Sequence, residues 1–393
     1  MKRLAKTLKA VIKNHPALLT TFHFNDDGEI VQRYTPNVIE DIHVEKVSEF
    51  EFESLKDNLV MPFKIIDGKL YRCRVFETEK AGYVFFDVHH TIFDGTSLKV
   101  FMGNIGKVYA GMEPDKDFYY YMLAKREEAV KTDFYDKSRE YFENLYENVE
   151  WSCYPTINHQ SRENELGELF VPLGIEQAQM AAMERQYRIS RNEFFITVAL
   201  LAIAFYNKKN NIKISWIYNG REDLEMMSSV GLLFRDLPVG VQLKDKDTIR
   251  DIFADVHNQV QGGIEHSCYA YVDKHNQVGN EEAAYLLYQQ DIRDMDAMGI
   301  ETIDIRQNQA ASQTILDMEI LDGKEGLILM IDYAASRYNQ ESMERFRDLF
   351  VMVAQSLATH SSQKDITVQE LRKKLTDKSN FFAKIIGFFR RKK

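Results

Sequence analysis

The segment GYVFFDV, residues 82 to 88, is apolar at nearly every position and is followed directly by two histidines. Apolar residues on both faces are typical of a strand that is covered on each side, which favours a central position in its sheet. After the histidines, LKVFMGNIGKVYAG has the apolar spacing of a helix, and Thr96 or Ser97 can cap its first turn. The sequence therefore predicts that a buried strand passes through a short loop into a helix.

His89, His90, Asp94 and Gly95 lie in this loop, which is a common location for an active site. An ordinary imidazole has a pKa of about 6.5, so near pH 7 it can be neutral and accept a proton from an attacking amine or alcohol. Gly95 has no Cβ, so its backbone N–H can approach the oxygen that gains charge when a carbonyl or thioester is attacked. We interpret these residues as a site for acyl transfer without a covalent enzyme intermediate.

Other kinds of site fit the two histidines less well. Neighbouring side chains on an extended backbone point to opposite faces, so they cannot easily bind one metal ion together. The sequence contains neither the HExxH spacing of a zinc protease nor the GxSxG elbow of a serine hydrolase. No metal is therefore predicted, and a hydrogen-bonded structural histidine is the ordinary alternative for either residue.

The first part of the chain predicts a mixed domain of helices and strands. Apolar residues recur at helical spacing from Leu4 to Ile12, and this helix should end before Pro16. FHFNDDGEIVQRY then reads as a hairpin, because the Asp27-Gly28 pair supplies the positive φ of a tight turn. The stretch WSCYPTINHQSRENELG loses helical periodicity and collects turn-forming residues. We place the end of this N-terminal domain at residue 155.

The second part, residues 165 to 378, predicts a C-terminal domain of similar content. Ser190 and Glu193 have the spacing of a capping box ahead of the apolar run FFITVALLAIAFY. IKISWIY and EGLILMIDYA are predicted strands, and a late amphipathic helix follows them. Two α/β halves of similar size suit a pseudo-duplicated architecture.

Composition excludes several classes of partner. Fifty Lys and Arg against sixty Asp and Glu give a net charge of −10, so no basic field is available to bind nucleic acid. The three cysteines are far apart and favour neither disulfides nor a zinc site, which fits a cytoplasmic protein. Membrane contact is expected only through the tail, residues 379 to 393, where FFAKIIGFFRRKK pairs apolar residues with a basic end. A linker or a partner-docking segment is the alternative interpretation of this tail.

The heptad HHTIFDG has the form HHxxxDG and resembles the signature of the condensation domains of nonribosomal peptide synthetases. The same signature extends to the wider superfamily that contains chloramphenicol acetyltransferase. NHPALLTTF at 14 to 22 is similar to the family's RHExLRTxF segment, and YNGREDLEMMSSVGLLFRDLPV at 218 to 239 to its GR and VGxFxNTLPL segments. HSCYAY at 266 to 271 is similar to HQDxPFE. The resemblance covers most of the chain in the family's order.

The resemblance implies two lobes, each like a chloramphenicol acetyltransferase subunit, in a V-shaped pseudo-dimer with the active site in a channel between them. It implies an acyltransferase that joins an acyl or aminoacyl thioester on a donor carrier protein to an amine on an acceptor carrier. No bound cofactor is expected, because phosphopantetheine enters as part of the carrier-protein substrate. The implied partners are both carrier domains and the neighbouring domains of a synthetase.

The family's roles transfer to individual residues of this sequence. His90 matches the second, catalytic histidine, which positions or deprotonates the amine, and Gly95 matches the glycine beside the reacting carbonyl. His89 matches the first histidine, which is structural, and Asp94 matches the aspartate that holds the loop through a salt bridge. Arg221 matches the arginine of the GR segment, for which we expect a structural contact at the lobe interface.

The sequence also departs from the family pattern. The arginine that usually pairs with the motif aspartate is replaced by Leu19, so Asp94 needs another cation, and Arg72 and Arg74 on the preceding strand are the expected candidates. The family's Asn and Thr in GxFxNT are Arg235 and Asp236, which alters residues expected to line the channel. The family also begins with a strand before the first helix, so the resemblance implies a truncated chain or an abbreviated first lobe.

Two alternatives to amide formation are left open by the sequence. One is an ester-forming acyltransferase of the same superfamily, which would use an alcohol acceptor. The other is a degenerate docking module that binds carrier proteins without catalysis, which Leu19 and the short N-terminus favour.

Overall fold

The structure, a computed structural model, describes residues 1–161, 165–269, 283–290, 315–359 and 365–377. These residues form two units. The first contains Met1–Lys131 and Asn219–Phe234, and the second contains the described residues of Thr132–Tyr218, Arg235–Asp294 and Ile305–Lys393. Each unit combines helices with strands, as predicted.

The first unit opens with the predicted helix and hairpin. Helix α1, Lys2–Asn14, buries the apolar stripe that includes Leu8, Val11 and Ile12, and it ends before Pro16. Strands β1, Thr20–Phe24, and β2, Ile30–Tyr34, pair antiparallel, and Gly28 in the turn has φ +80°. Both predictions are confirmed.

A second sheet of this unit leads to the histidines. It consists of β3, Val44–Lys46, β4, Tyr71–Glu77, and β5, Gly82–Val88, in the order β3-β4-β5. The other helices of the unit are α2, Glu49–Lys56, α3, Gly95–Tyr109, and α4, Tyr119–Ala129.

The prediction that GYVFFDV is a central strand is wrong for the described residues, where β5 pairs with β4 alone and ends the sheet. Its apolar residues are explained by packing on both faces. Phe86 stacks on Phe101 of α3 with ring centroids 4.4 Å apart, and Tyr83 stacks on Phe52 of α2 at 3.9 Å. Helices thus cover both faces of an edge strand, and its residues from Tyr83 to Val88 are partly buried rather than fully buried as predicted.

The second unit contains a larger sheet. Its strands are β6, Leu166–Pro172, β7, Asn211–Tyr218, β8, Arg235–Gln242, β9, Tyr285–Gln290, β10, Leu316–Gly323, and β11, Gly326–Ala334. They are ordered β6-β11-β10-β9-β7-β8, with β9 parallel to both of its neighbours and the other pairs antiparallel.

The helices of this unit pack around the apolar run found in the sequence. They are α5, Asp133–Tyr146, α6, Gln177–Tyr187, α7, Arg191–Asn207, α8, Ile249–Glu265, and α9, Gln340–Thr359; residues 368 to 377 are also helical. Every residue of α7 from Glu193 to Ala204 is buried. The predicted capping box is confirmed, since the Ser190 Oγ accepts from the Glu193 N–H and the Glu193 carboxylate accepts from the Ser190 N–H.

The two units do not divide at the predicted boundary between residues 155 and 165. Helix α5 belongs to the second unit, because its Phe142 and Tyr146 lie in that unit's hydrophobic core. Asn219–Phe234 belongs to the first unit, where Val230 and Leu233 are fully buried. Packing, rather than the loss of helical pattern, sets the division. The predicted tail, residues 379 to 393, lies outside the described residues.

The described residues contain no single helix that is long and apolar enough to cross a membrane. Helices α6 and α7 reach the necessary length and apolar composition only when they are taken together, and the pair is bent by 91°. Cys73, Cys153 and Cys268 are free thiols.

Asp332 provides a test of the second unit's sheet. It lies opposite Glu168 of β6 and Asp317 of β10, and burial, together with the Glu168 charge, raises the pKa of Asp332 to about 6. Because this pKa lies above that of the unfolded chain, the fold prefers the neutral carboxyl; its contribution to stability is present below about pH 4 and is lost as the pH rises through about 6.

We expect Asp332→Asn to raise the free energy of unfolding at pH 7.5 by about 1–2 kcal/mol. The shift itself corresponds to at most about 3 kcal/mol, and solvent screening reduces that value because the side chain is only partly buried. Urea unfolding followed by tryptophan fluorescence at pH 7.5 and pH 4 measures the gain, which should disappear at pH 4. Glu325→Gln, in the exposed turn between β10 and β11, is the control and should change little. An Asp332→Asn variant no more stable than wild type at pH 7.5 would contradict the prediction.

Candidate active site

The HHxxxDG loop connects β5 to α3, as the sequence predicts. His89 is extended, His90–Ile92 forms a short 3₁₀ turn, and Asp94 is the N-cap of α3. The buried side chains of Ile92 and Phe93 fix the loop to the core. The cap differs from the predicted Thr96 or Ser97: Asp94 Oδ1 accepts the Ser97 N–H at 2.8 Å, because the helix begins one residue after the aspartate.

The two histidines have different surroundings. His89 is partly buried, its Nδ1 accepts the Thr91 N–H at 3.2 Å, and its ring meets the Phe63 ring edge-on at 5.8 Å. Burial lowers the pKa of His89, the charge of His90 lowers it further, and Asp87 opposes both effects. A neutral His89 held in this way suits a structural role.

His90 is exposed, and within the described part of the chain no hydrogen bond to its ring is formed. Its ring contacts Phe234, with centroids 5.9 Å apart and planes inclined by 78°. An exposed imidazole can meet a solute directly, and in its neutral form it can accept a proton from an amine or alcohol.

Gly95 is exposed and is the first residue of α3. The N-terminus of a helix carries a partial positive charge from its aligned peptide dipoles, about half an elementary charge. An acyl oxygen that gains negative charge beside Gly95 would be stabilised there. His90 lies in the loop and Gly95 begins α3 five residues later, so both belong to the junction between the loop and this helix.

Asp94 is buried, and its partner is Arg221. The Arg221 Nη1 donates to Asp94 Oδ2 at 3.0 Å and the Nη2 donates to Oδ1 at 3.0 Å, which is the bidentate geometry that guanidinium groups favour. Asp94 is 5 % exposed and Arg221 is 4 % exposed, so the pair is shielded from water.

The expectation that Arg72 or Arg74 pairs with Asp94 is therefore wrong. Arg72 lies opposite Asp87 in the β4–β5 register and pairs with it, and Arg74 reaches Glu45 of β3 at 2.6 Å. The two arginines of β4 thus pair within their own sheet, and the cation for Asp94 comes from a segment far along the sequence.

The Asp94–Arg221 pair is the centre of a larger buried network, which we call the Asp94 clamp: Asp94, Ser97, Arg221, Gly231 and Leu233. Asp94 Oδ2 also accepts the Leu233 N–H at 3.0 Å, and the Ser97 Oγ accepts the Gly231 N–H at 2.9 Å. The Arg221 Nη2 donates to the Ser229 carbonyl at 3.0 Å. The clamp connects Asn219–Phe234 to the start of α3, next to the HHxxxDG loop.

His15 anchors another part of the first unit. Its side chain is fully buried, its Nδ1 lies 2.6 Å from Asp117 Oδ2, and its Nε2 lies 3.2 Å from Asn104 Nδ2. Asp117, Asn104 and Phe234 could not be identified from the sequence, because each lies far along the chain from the histidine that it contacts and no local spacing signals the contact.

Among residues 1–161, 165–269, 283–290, 315–359 and 365–377, no three His, Cys, Asp or Glu side chains are grouped so as to bind a metal ion.

The sequence and the fold of this chain are similar to those of several known proteins. Surfactin synthase subunit 1 of Bacillus subtilis (strain 168) is 22% identical over 384 residues, which are 92% of this chain and 10% of that protein. The chain thus spans about a tenth of that relative's length. The condensation domain of the monacolin K polyketide synthase superposes with a TM-score of 0.76 at 16% identity, covering 93% of this chain and 90% of that one. The X-domain solved in complex with OxyB from teicoplanin biosynthesis superposes with a TM-score of 0.70 at 15% identity, and the match covers 94% of this chain and 87% of that one.

These similarities show that the chain has the fold of condensation domains. Residues 1–378 match the condensation-domain family, which is 378 of the 393 residues. The chain belongs to the condensation-domain family.

Proposed function

We propose that this domain is an acyltransferase that joins an acyl or aminoacyl thioester, held on a carrier protein, to an amine and so forms an amide bond. The observation that supports it most directly is the exposed His90 ring in the loop that leads to Gly95 at the start of α3. Family membership supports the same chemistry.

In the proposed reaction the amine nitrogen attacks the thioester carbonyl while His90 accepts a proton from that nitrogen. The carbonyl oxygen gains charge next to the Gly95 N–H and the positive end of α3. The C–S bond then breaks, and the thiolate leaves with the proton that His90 returns. The amide and a free thiol are the products, so atoms and charge balance without an added reactant.

Most of the rate enhancement is expected from alignment of the reactants, which can contribute about 7–11 kcal/mol. General base catalysis adds about 10²- to 10⁴-fold. His89, Asp94 and Arg221 hold the loop and do not contact the reactants. The proposal requires no resident cofactor, because phosphopantetheine arrives as the arm of the carrier.

The partners we propose are a donor and an acceptor carrier domain and the adjoining domains of a longer synthetase. The small share of the surfactin synthase subunit that this chain matches supports an origin in such an assembly. A cytoplasmic location is the matching proposal, and the free thiols of Cys73, Cys153 and Cys268 support it.

A docking module is the second candidate, because a protein of this fold, the X-domain, has been solved in complex with OxyB. In that case the domain would bind its protein partner without transferring an acyl group.

The test uses a donor carrier loaded with octanoyl- or phenylalanyl-phosphopantetheine and an acceptor carrier loaded with leucyl- or glycyl-phosphopantetheine. Intact-mass spectrometry should show the acceptor gaining the donor's acyl mass, only when the domain is present. An acceptor loaded with a hydroxy acid is included, and transfer to it alone would favour an ester-forming enzyme. No transfer with any pair, accompanied by carrier binding in calorimetry, would favour the docking module.

A further inference from the structure

His90 is the proposed base, yet no hydrogen bond from the described residues orients its ring. Other histidines of the first unit are held by such bonds: His15 by Asp117, His23 by Asp67 and His89 by Thr91. In enzymes with a catalytic base, a third group usually fixes the ring through a hydrogen bond. The His90 ring instead contacts an aromatic ring, that of Phe234.

An exposed imidazole that nothing holds would populate several staggered rotamers. Only one of them can place a ring nitrogen at the attacking amine, so the productive fraction falls with the number of rotamers populated. An edge-to-face aromatic contact with centroids 5.9 Å apart lies within the range in which such pairs attract each other. The Phe234 ring therefore favours one orientation of His90.

The backbone immediately before Phe234 is unusually well fixed. The Leu233 N–H donates to Asp94 Oδ2 at 3.0 Å, and its carbonyl accepts from the Arg126 Nη2 at 2.5 Å. The Leu233 carbonyl also packs closely against Gly220, which has φ +66°. A Cβ at position 220 would lie 1.8 Å from the Leu233 oxygen, so only glycine allows this contact. The Leu233 side chain is fully buried. Phe234 thus follows a residue held at its N–H, its carbonyl and its side chain.

We propose that Phe234 is a positioning residue, whose ring holds the His90 imidazole in the orientation that catalysis needs, and that the Asp94 clamp acts on catalysis through it. This inference rests on the proposed function, because it assigns His90 as the base. It gives the buried clamp a role in the reaction, although none of its members contacts the reactants.

The first test compares Phe234→Ala with Phe234→Tyr, which keeps the ring, in the carrier-to-carrier transfer assay. Freeing the ring to populate several rotamers should lower kcat about 5- to 10-fold in the alanine variant. The half-saturating concentration of the acceptor should not change, because Phe234 is not proposed to bind it. Phe234→Tyr should keep kcat within about twofold of wild type. An alanine variant with wild-type kcat would overturn the proposal.

The second test needs no turnover. The His90 Cε1–H resonance, assigned by its loss in His90→Gln, should carry a ring-current displacement from Phe234 that disappears in Phe234→Ala and persists in Phe234→Tyr. An unchanged His90 resonance in Phe234→Ala would overturn the positioning role. If the alanine variant unfolds at lower urea concentration than wild type, Phe234→Leu, which fills most of the same volume without a ring, replaces it under the same two criteria.

These measurements separate the inference from the function on which it rests. If wild type and His90→Ala transfer equally, the proposed function fails, while the resonance still reports whether Phe234 orients the ring. If His90→Ala is inactive and Phe234→Ala is fully active, only the inference fails.

Discussion

Replacement of His90 by alanine is expected to lower the rate of carrier-to-carrier amide formation by about 10²- to 10⁴-fold, the usual contribution of a general base. His90 is exposed, so its removal leaves no cavity and the fold should be unaffected. The rate is measured in single turnover with donor-loaded and amine-loaded carriers, with the product quantified by intact mass. The residual rate reports the alignment of reactants and the stabilisation by Gly95 and α3.

His43→Ala is the matched control, because His43 is also exposed and belongs to the same unit. It should transfer at the wild-type rate. A His90→Ala variant that forms product within twofold of wild type would remove His90 from the mechanism. Equal losses in the two variants would show that the effect does not depend on the HHxxxDG loop.

Replacement of Arg221 by alanine is expected to lower the free energy of unfolding of the first unit by about 3–5 kcal/mol. The Asp94 carboxylate, 5 % exposed, would then be left buried without its cation. An uncompensated buried charge strongly destabilises the folded state. The carbonyls of Asn219 and Ser229 would lose a donor as well. The effect should extend to the start of α3, which Asp94 caps.

The two tryptophans allow the effect to be located. Trp151 and Trp216 both lie in the second unit, so their fluorescence reports that unit, whereas circular dichroism follows helices of both. In Arg221→Ala, the helices of the first unit should unfold first. Part of the circular dichroism signal should therefore be lost at a lower urea concentration than that at which the tryptophan fluorescence changes. Hydrogen exchange should be faster in residues 95–109 and 219–234.

Arg74→Ala is the control for this experiment, since it breaks the Arg74–Glu45 pair, whose side chains are 39% and 38% exposed. Exposed pairs contribute about 0–1 kcal/mol, so this variant should lose little stability. An Arg221→Ala variant that loses no more stability than Arg74→Ala would mean that the Asp94 clamp does not hold the loop.

Local sequence patterns predicted the local structure well. The leucine stripe of α1, the Asp27-Gly28 hairpin and the Ser190–Glu193 capping box each depend on residues within a few positions of one another. The order of strand, loop and helix around the two histidines also follows from local signals. These features are set by backbone geometry and nearby hydrogen bonds, which short spacings record.

Features that depend on long-range packing were predicted less well. Arg221 lies 127 residues from Asp94 in the sequence, so no spacing could show that they pair, and two nearer arginines were expected instead. The apolar pattern of β5 indicated contacts on both faces, but its residues are only partly buried. Helices can cover the faces of an edge strand as well as those of a central strand, so the pattern could not fix the position of β5 in the sheet. The resemblance to condensation domains singled out Arg221, for which a structural contact is expected, but it did not identify Asp94 as the partner.

The discontinuity of the first unit has a consequence for recombination between condensation domains. A chimera that exchanges residues 1–131 alone would combine Asp94 from one parent with Asn219–Phe234 from the other. The loop of one parent would then contact the residues that the other parent has at positions 221, 231 and 234. A chimera that exchanges the first unit must therefore take both residues 1–131 and Asn219–Phe234 from the same parent, so that the HHxxxDG loop keeps its contacts.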